Sequence, residues 1–588
     1  MSATELGLDR SGNGNNFSFE NALGSDQMLD TPTNNFCTMN TLDAQTADKM
    51  SEGNLFVDAA NRCCGTMAVS SGKWYFEVRL HYQHHGGLGL GIREIGGAIA
   101  NDTGINQVSM SHPVGSGVQL NIVVDGSSST DGEVGTVANG QIIGIMFDVD
   151  AQTITFKVDN GAIDSSLTNF DYSACSNMGT VTPFFSIPGG RQVIANFGQD
   201  SSFAGNEVAQ GNQDSNDIGD FYYEPPSDYL ALCTSNLPEP AVKPAEHFNT
   251  VLYTGNDNDN HAITGVGFQP DFLWIKNRGT TDIHELVDAV RGQFSGGNGL
   301  GRLRSNDTTA EIDSTIEGFT SDGFTLDGDN TGYNGNNANY VAWNWKANGS
   351  GSANTDGSIN STVSANTDAG FSIVSFTGTN SNGATIGHGL SKAPEMIIVK
   401  SRSAAGEPWR VYHSGMASDA ETDYMNLNTD GAIADSAAMW ADTAPTSSVF
   451  SVGQDGGVNA NGTTYIAYCF HSVEGYSKLG FQVSNNSTDG AFINTGFQPK
   501  FIFHRGTFAA DWTITDNERE AGNPFGQEIL FPNGTNAETT YSSGGVDFVS
   551  NGFKVRTRGD GVHGANSAGA RFIYMAFAKT PFKYSNAR

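Results

Sequence analysis

The sequence has little of several features that would each mark a class of protein. Its few cysteines form no C-x-x-C pair, which favours reduced thiols over a disulfide framework or a zinc site. No run of about 18 apolar residues occurs, and no apolar leader with a small-residue cleavage site opens the chain. We therefore expect a protein that is made in a cytoplasm, stays soluble and does not insert into a membrane. The six cysteines are Cys37, Cys63, Cys64, Cys175, Cys233 and Cys469.

Basic residues are also scarce. Thirty Lys and Arg residues stand against sixty-three Asp and Glu residues, which leaves a formal charge of −33. A surface of this charge repels phosphate backbones and anionic bilayers. The composition therefore argues against a nucleic-acid partner and against binding to a membrane surface.

Glycine, by contrast, is abundant. The 588 residues include 73 glycines, and with many Asn, Asp, Ser and Thr residues this is typical of short strands joined by tight turns. A single core stops growing near about 250 to 300 residues, so we expect several domains. The predicted class is all-β, with one short helix at TDIHELVDAVRGQF (281–294), where apolar residues recur at helical spacing.

Two phrases recur three times in the second half of the chain. In the first phrase a β-prone run, DFLWIK, EMIIVK or KFIFHR, follows Pro270, Pro394 or Pro499. The second phrase, YVAW, YIAY or YMAF, begins at Tyr340, Tyr465 or Tyr574. Proline is tolerated at the start of a strand. We predict three related β-sandwich modules, each closed by pairing these two strands.

Glycine-containing turns lie between the two phrases in the first and third copies. FTSDGF (319–324) and FVSNGF (548–553) predict hairpins with Asp322-Gly323 and Asn551-Gly552 at the turn centres, and the middle copy has diverged here. Alternation places Phe272 with Trp274 on one face of the first strand. Such an aromatic stripe is either buried core or a platform for stacking sugars, and core packing is favoured because most such stripes are buried.

The amino-terminal part follows another pattern. SGKWYFEVRL (71–80) and GQIIGIMFDVDAQTITFKVDNG (140–161) together resemble the SPRY (B30.2-like) domain, a β-sandwich of concanavalin-like topology. The resemblance implies partner recognition through variable loops, so no binding residue transfers and the binding residues stay unknown. His81, His84 and His85 in LHYQHHGG (80–87) are either a ligand or metal patch or an ordinary loop, and the loop is favoured.

These patterns predict an all-β, multi-domain chain with a SPRY-like sandwich and three related antiparallel β-sandwich modules. The predicted boundaries are 1–45 for an N-terminal arm or docking segment, 46–204 for the SPRY-like sandwich, 205–246 for a proline-containing linker lying against its neighbours, and 247–348, 349–476 and 477–588 for the three modules.

No motif for nucleophilic, metal or nucleotide chemistry is present. Glu518 with Glu520, or Asp148 with Asp150, has the residue types of a glycosidase pair, but carboxylates are so plentiful that chance pairs are expected. The acidic stretch GNDNDNH (255–261) lacks the D-x-D-x-D-G pattern of a calcium loop, so side-chain-capped turns are the simpler account. We predict no catalytic residue, no metal and no cofactor.

The whole arrangement resembles a family of phage virion proteins, through DRSGNGNNF (9–17), the SPRY-like part, DYLALCTSNLPEP (228–240) and the proline-led phrases. The resemblance implies a tail-fibre-like surface appendage on the particle, a rod of modules with other virion proteins as partners. It also implies a homo-oligomer, with a trimer as the candidate form, that contacts host-surface glycan or protein multivalently. Two alternatives stay open, a capsid or tail decoration (cement) protein without a receptor and a polysaccharide depolymerase tail spike.

Overall fold

The computed structural model describes residues 28–584 except 32, 60, 83–87, 96–105, 113–118, 125–126, 131–136, 163–166, 176–177, 329, 485–486, 488, 521–527, 541–544 and 557–568. The chain forms two compact units that divide between Glu239 and Pro240. Strands dominate both units, so the all-β prediction is confirmed. The helical elements within the described ranges are α1 (Ala437–Trp440), α2 (Gly456–Asn459) and the 3₁₀ turns Ala47–Lys49, Pro244–Glu246, Ala420–Thr422 and Phe582–Tyr584.

The first unit consists of short strands in two sheets, which are antiparallel except where Leu230–Ala231 pairs with Lys73–Tyr82. The strands are β1 (Met39–Ala44), β2 (Met50–Ser51), β3 (Phe56–Asp58), β4 (Asn61–Gly65), β5 (Lys73–Tyr82), β6 (Leu88–Glu94), β7 (Gln107–His112), β8 (Gln119–Val124), β9 (Ser127–Thr130), β10 (Ile142–Asp148), β11 (Thr153–Val158), β12 (Gly161–Ala162), β13 (Phe170–Asp171), β14 (Val181–Ile187), β15 (Gln192–Asn196) and β16 (Leu230–Ala231).

The two sheets of the first unit pack face to face. One has the order β1-β4-β14-β6-β7-β8-β9, and the other has the order β12-β11-β10-β5-β15-β3-β2, with β13 beside β11 and β16 beside β5. Phe76 on β5 lies with its ring centroid 6.3 Å from that of Phe185 on β14. The contact between the two central strands shows that the unit is a β-sandwich.

The segment after the sandwich folds back onto it. Glu77 on β5 is buried, and its carboxylate accepts hydrogen bonds from the Tyr222 and Tyr223 amides at 2.9 and 2.8 Å. The Tyr75 hydroxyl and the Asn196 amide donate to the same carboxylate at 2.9 and 3.0 Å. Four donors satisfy the buried acid, so the region predicted as a linker is held against the first unit along this stretch.

The second unit contains three groups of strands, which we call module 1 (247–348), module 2 (349–476) and module 3 (477–588). Module 1 has β17 (Phe248–Thr254), β18 (His261–Ile263), β19 (Phe272–Asn277), β20 (Glu285–Asp288), β21 (Arg302–Arg304), β22 (Ile316–Thr320), β23 (Gly323–Leu326) and β24 (Asn339–Trp345). Module 2 has β25 (Ser352–Asn354), β26 (Ser361–Asn366), β27 (Phe371–Thr377), β28 (Ala384–Gly387), β29 (Met396–Ser401), β30 (Arg410–His413), β31 (Asp423–Asn426), β32 (Ala434–Asp435), β33 (Val449–Val452) and β34 (Thr464–Phe470). Module 3 has β35 (Ser477–Val483), β36 (Phe492–Asn494), β37 (Phe497–Gly506), β38 (Thr513–Asp516), β39 (Glu528–Ile529), β40 (Thr539–Thr540), β41 (Val546–Val549), β42 (Gly552–Val555) and β43 (Arg571–Pro581).

The main sheets of the three modules share one strand order. It reads β17-β24-β19-β20 in module 1, β27-β34-β29-β30 in module 2 and β35-β43-β37-β38 in module 3. In each sheet the proline-led strand pairs with the strand of the second phrase, as predicted, so that Phe272, Met396 and Phe501 lie opposite Trp345, Phe470 and Phe577. A smaller sheet, β18-β23-β22, β28-β33 or β36-β42-β41, accompanies each main sheet.

One face of every main sheet packs into a single hydrophobic core that all three modules share. The ring centroids of Phe272 and Tyr468, from modules 1 and 2, are 4.3 Å apart. Those of Phe248 and Phe577, from modules 1 and 3, are 4.8 Å apart, and Phe470 and Phe577 join modules 2 and 3 at 6.3 Å. The expected rod of successive modules is therefore wrong for this unit, because the modules surround one core that a single chain completes.

The aromatic stripe of the proline-led strands is core, as favoured above. Trp274 is 3% exposed and Trp343 is fully buried, which rules out the stacking platform for these two rings. The opposite face, with Leu273 and Ile275, packs against Phe324 of the small sheet. Each central strand is thus apolar on both faces because it lies between two layers.

The helix predicted for 281–294 is wrong. Residues Glu285–Asp288 form β20, which pairs with β19. Leu286 faces the shared core, and Val287 faces the cluster of the small sheet. The apolar spacing fitted a helix, but a strand between two cores buries neighbouring apolar residues on opposite faces, and this burial outweighs local helical preference.

The hairpin turns exist, but they are centred one residue earlier than predicted. Thr320 pairs with Gly323 and Val549 pairs with Gly552, so the central residues are 321–322 and 550–551. A Cβ atom at Gly323 would overlap the carbonyl oxygen of Ile263. The close approach of the neighbouring strand therefore requires a glycine here, and the φ of 156° at Gly323 favours glycine as well.

The second phrase is also displaced by two residues in module 3. The pairing of β43 places Phe572 opposite Gly506, whereas Tyr340 lies opposite Asn277 in module 1. Gly506 and Asn277 are equivalent, because each lies five residues after the equivalent Phe501 or Phe272, and so Phe572 is the counterpart of Tyr340. Tyr574, which the sequence pattern aligned with Tyr340, therefore corresponds to Ala342.

Candidate functional site

The interface between modules 1 and 2 is closed by charged side chains. The Arg402 Nε atom lies 2.7 Å from Glu311 Oε2, and Arg291 Nη1 lies 3.5 Å from Glu311 Oε1. Arg291 also forms a fully buried ion pair with Asp288, which accepts a 2.8 Å hydrogen bond from the Tyr468 hydroxyl of module 2. The network therefore joins the two modules, because Arg402 and Tyr468 of module 2 bind acidic side chains of module 1.

The interface between modules 1 and 3 repeats this arrangement at equivalent positions. Arg278 Nε lies 2.5 Å from Glu538 Oε2, and Arg519 Nη1 lies 4.0 Å from the same oxygen. Arg519 pairs with the buried Asp516 at 2.6 Å, and the Trp343 indole of module 1 donates to Asp516 at 3.0 Å. Asp516 lies opposite Phe501 just as Asp288 lies opposite Phe272.

A second carboxylate adds to the interface between modules 1 and 3. The pKa of Glu528 is raised to about 7, chiefly by a hydrogen bond with Glu538 and secondly by burial. Burial acts to raise the pKa of Glu538, but the hydrogen bonds from Arg278 and Glu528 lower it below the usual range. Arg278 Nη2 also lies 3.3 Å from Glu528 Oε2, so the two acids share one cation and serve to hold the modules together.

The interface between modules 2 and 3 lacks these charges. The positions of Asp288, Arg291, Glu311 and Arg402 are occupied by His413, Met416, Ile433 and Thr507. The backbone contact of this position is kept, because the Ile433 amide donates to the Thr507 carbonyl at 2.9 Å as the Glu311 and Glu538 amides donate to the Arg402 and Arg278 carbonyls. Burial lowers the pKa of His413 to about 4. His413 Nε2 lies 3.2 Å from the Tyr574 carbonyl oxygen, so the neutral ring donates a hydrogen bond from Nε2 to that oxygen.

An open cleft lies at this third interface. Its volume is about 710 Å³, within the range of small-molecule sites. The side chains that line it from modules 2 and 3 include Met416, Ser418, Thr507, Phe508, Ala570 and Arg571. The cleft is therefore found where neutral residues replace the charged network.

Arg571 is the charged group of the cleft. Its guanidinium carbon lies 4.1 Å from the ring centroid of Phe481, a side chain that is 37% exposed. Nη1 donates to the Gly415 carbonyl at 3.2 Å. No carboxylate within the described ranges forms an ion pair with Arg571, and burial lowers the pKa of its guanidinium. The arrangement suits a ligand that brings an anion to Arg571.

The histidine loop is only partly described. His81 is the last residue but one of β5, where its Nδ1 atom lies 3.4 Å from Arg79 Nη1 and its ring packs edge-on against Phe56. Burial and the Arg79 charge lower its pKa. His84 and His85 lie outside the described residues. Across the described ranges, no group of three or more His, Cys, Asp or Glu residues is placed to hold a metal ion.

The two carboxylate pairs have separate structural partners. Asp148 accepts from the Ala151 amide at 2.9 Å and so caps the turn after β10. Asp150 accepts from the Gly72 amide at 3.0 Å and so holds this turn to the residues before β5. Glu518 pairs with Lys500 at 2.9 Å, and Glu520 accepts from the Glu528 amide at 3.4 Å.

Residues 255–261 form the predicted side-chain-capped turn, in which Asn256 Oδ1 accepts from the Asn258 amide at 2.9 Å. His261 Nδ1 lies 2.7 Å from Asn334 Oδ1. All six cysteines are buried free thiols, in agreement with the prediction. For the described part of the chain, no helix is long and apolar enough to cross a membrane.

Sequence reasoning missed the cleft, although the repeated phrase contained a signal. The three copies continue as KNR, KSR and RGT, so that Arg278 and Arg402 are matched by Thr507. The loss of one arginine from three equivalent positions marks the divergent interface. Arg571 itself could not be found this way, because it begins β43, outside the phrase.

The family profile described as "Domain of unknown function (DUF7483)" matches residues 243–581, more than half of the chain. The chain belongs to this family. The DUF7483 match extends from the residues before β17 to the end of β43 and so includes the main sheets of all three modules. A SPRY domain profile matches residues 73–200. The first unit of this DUF7483 protein thus contains a SPRY domain of concanavalin-like topology, as predicted.

Solved structures similar to the DUF7483 chain include two SPRY domains. The TRIM65 PSpry domain is 14% identical, with 27% of this chain and 90% of that chain covered and a TM-score of 0.20. The SPRY domain of human HERC1 is 15% identical, with 28% and 95% covered and a TM-score of 0.19. The carbohydrate-binding module CBM66 from Bacillus subtilis is 9% identical, with 27% and 91% covered and a TM-score of 0.17. No curated protein matches the sequence.

Proposed function

We propose that this protein is a structural component of a phage particle, a tail-fibre-like surface appendage that binds the host surface and catalyses no reaction. The phrases at 9–17 and 228–240, with the SPRY domain and the proline-led strands, support this location through their resemblance to virion proteins. Other virion proteins hold one end of the chain, and the assembled form is a homo-oligomer, with a trimer as the candidate.

The observation that carries the proposal is the use of charge in the second unit. At two module interfaces half-buried acids and arginines bind each other, through Glu311 with Arg402 and Glu538 with Arg278. The third interface leaves a cleft of about 710 Å³ with Arg571 on its wall. Two interfaces closed by ion pairs and an open cleft at the third support a binding protein in which the cleft is held by a rigid body.

The mechanism follows from the number of copies on one particle. A single shallow cleft gives a weak contact, but linked copies that bind one surface convert later contacts into intramolecular events. Avidity then exceeds the affinity of each site by orders of magnitude, about 10² to 10⁴. The SPRY domain supplies a second, independent contact in the same chain.

Immunogold labelling of particles with an antibody to this chain tests the location, and competition for adsorption by the purified protein tests the function. We expect label on the particle surface and a dose-dependent loss of adsorption. Unlabelled particles would overturn the virion assignment. Label without competition would favour a decoration protein, and release of reducing ends from the host envelope polysaccharide would favour a depolymerase.

A further inference from the structure

We propose that the cleft between modules 2 and 3 binds an anionic saccharide, with the ligand carboxylate at Arg571 and an apolar ring face against Phe508. The saccharide class rests on the proposed function, because a host-surface ligand of a phage protein is a glycan or a protein. The carboxylate is argued from the cleft itself.

The case for a carboxylate starts from the two closed interfaces. There, each bridging arginine meets a glutamate of the neighbouring module, Arg402 with Glu311 and Arg278 with Glu538. At the third interface Arg571 has no such partner within the described ranges, and its guanidinium is held by the Phe481 ring and the Gly415 carbonyl. An arginine with remaining donors binds a carboxylate in two parallel hydrogen bonds.

The rest of the lining suits a sugar ring. Phe508 is half-buried, and its ring packs edge-on against Phe572 at 5.2 Å, which fixes its orientation. Met416, which is 2% exposed, adds an apolar side chain to the lining, and Ser418 adds a hydroxyl group. The Thr507 hydroxyl donates to the Arg571 carbonyl at 3.3 Å, so its oxygen can accept a hydrogen bond from a ligand. An aromatic ring beside hydroxyl groups matches a ligand ring that has one apolar face and a polar rim.

The net charge of −33 opposes anions in general, so binding must depend on the local field. At physiological ionic strength charges are screened beyond roughly 8 Å, which leaves Arg571 as the dominant charge inside the cleft. Binding is therefore expected to weaken as salt is added.

The test is a glycan array that carries matched pairs of carboxylated saccharides and their methyl esters, probed with the full-length labelled protein. We expect the wild type to bind carboxylated members at least tenfold more strongly than their esters. Arg571→Met, which keeps a side chain over Phe481, should lose at least tenfold in binding, and Arg571→Lys should stay within about threefold of the wild type. Thermal unfolding of each variant checks the fold, and Phe508→Ala, which removes the ring but no charge, tests the apolar wall.

Equal binding of acids and esters would overturn the carboxylate, and wild-type binding by Arg571→Met would place any bound acid elsewhere. Binding to no carboxylated saccharide would overturn the inference as a whole. Adsorption competition by the wild type, measured in parallel, keeps the two proposals apart. If competition succeeds while the array is blank, only this inference fails, whereas loss of competition removes the proposed function.

Discussion

Three buried cations occupy equivalent positions at the ends of the proline-led strands. Lys276, Lys400 and Arg505 lie opposite Val341, Ile466 and Ile573 in their sheets. The Lys276 ammonium donates to the Asn277 and Thr280 carbonyls at 2.7 and 3.0 Å, and Lys400 donates to Ser401 at 3.1 Å. Neither lysine forms an ion pair within the described ranges, so each charge is held by carbonyl oxygens alone.

Because these lysines are buried, the free energy of unfolding should change with pH in the alkaline range. Burial lowers the pKa of both lysines from 10.5 to about 8. Between these values the unfolded chain binds more protons than the folded protein, so the lysines destabilise the fold below pH 8 and their penalty disappears toward pH 10.5. We compare the wild type with the double variant Lys276→Met/Lys400→Met, which lacks both charges. From pH 8 to pH 10.5 the free energy of unfolding of the wild type should rise relative to that of the variant, by at most about 1.4 kcal/mol per pH unit for each lysine.

Urea unfolding at several pH values measures this difference. Tyrosines and cysteines titrate in the same range, but they are common to both proteins and cancel. Parallel stability curves for the wild type and the double variant would contradict the prediction.

Two glycines make a second prediction at the residue scale. A Cβ atom at Gly323 or Gly552 would overlap the carbonyl oxygen of Ile263 or Ile493, whereas one at Gly318 meets nothing within 4 Å. Gly323→Ala and Gly552→Ala should each cost about 1 to 3 kcal/mol of unfolding free energy, because the neighbouring strand must move. Gly318→Ala, in the same hairpin as Gly323, should stay within about 0.5 kcal/mol of the wild type. Denaturant titration separates the two outcomes. Gly552 is crowded but has no positive φ, so equal costs at 318 and 552 would contradict the role of crowding.

At the scale of elements, modules are joined by rings that donate hydrogen bonds across the interfaces. Trp409 of module 2 donates to the Arg304 carbonyl of module 1 at 2.8 Å, and Trp512 of module 3 donates to the Asn426 carbonyl of module 2 at 2.9 Å. His284 of module 1 holds the equivalent position beside Phe531 of module 3. The contacts run in the same direction around the unit, so each module uses its neighbour to satisfy a buried ring.

The Tyr468 hydroxyl offers a clean test of one such contact. Tyr468→Phe removes only the oxygen that donates to Asp288, and the buried Asp288–Arg291 pair then lacks a donor. We expect a loss of about 1 to 3 kcal/mol in unfolding free energy. Tyr424→Phe is the matched control, since Tyr424 is half-buried with its ring beside Arg410, and it should cost under about 0.5 kcal/mol. Equal losses at the two positions would mean that the cross-module hydrogen bond contributes nothing.

The sequence predicts a secondary-structure element correctly where its residue pattern fits only one type of element. The proline-led strands and their pairing followed from the repeated phrases, since Pro270, Pro394 and Pro499 all precede equivalent paired positions. Residues 281–294 were misread because apolar spacing on a strand between two cores matches a helix. The cleft could not be derived, because it depends on which modules meet, and on Arg571 lying beside Thr507 only after folding.

At the scale of the whole molecule, the shared core changes what the second unit can do. Residues from all three modules make up one buried cluster, in which Phe272, Tyr468 and Phe577 come from different modules. Removal of one module would expose the aromatic faces of the other two. The modules are related in topology, yet none of them has a complete core of its own.

The second unit should therefore unfold in one step. Hydrogen exchange followed by mass spectrometry, with peptides from β24, β34 and β43, should give one denaturant midpoint for the three modules in the full-length protein. Gly552→Ala, which acts in module 3, should lower the midpoint of all three strands together, because the core cannot lose one sheet and keep the others buried. A midpoint that falls only for β43 would show that the modules are independent, and the shared core would then contribute little to cooperativity.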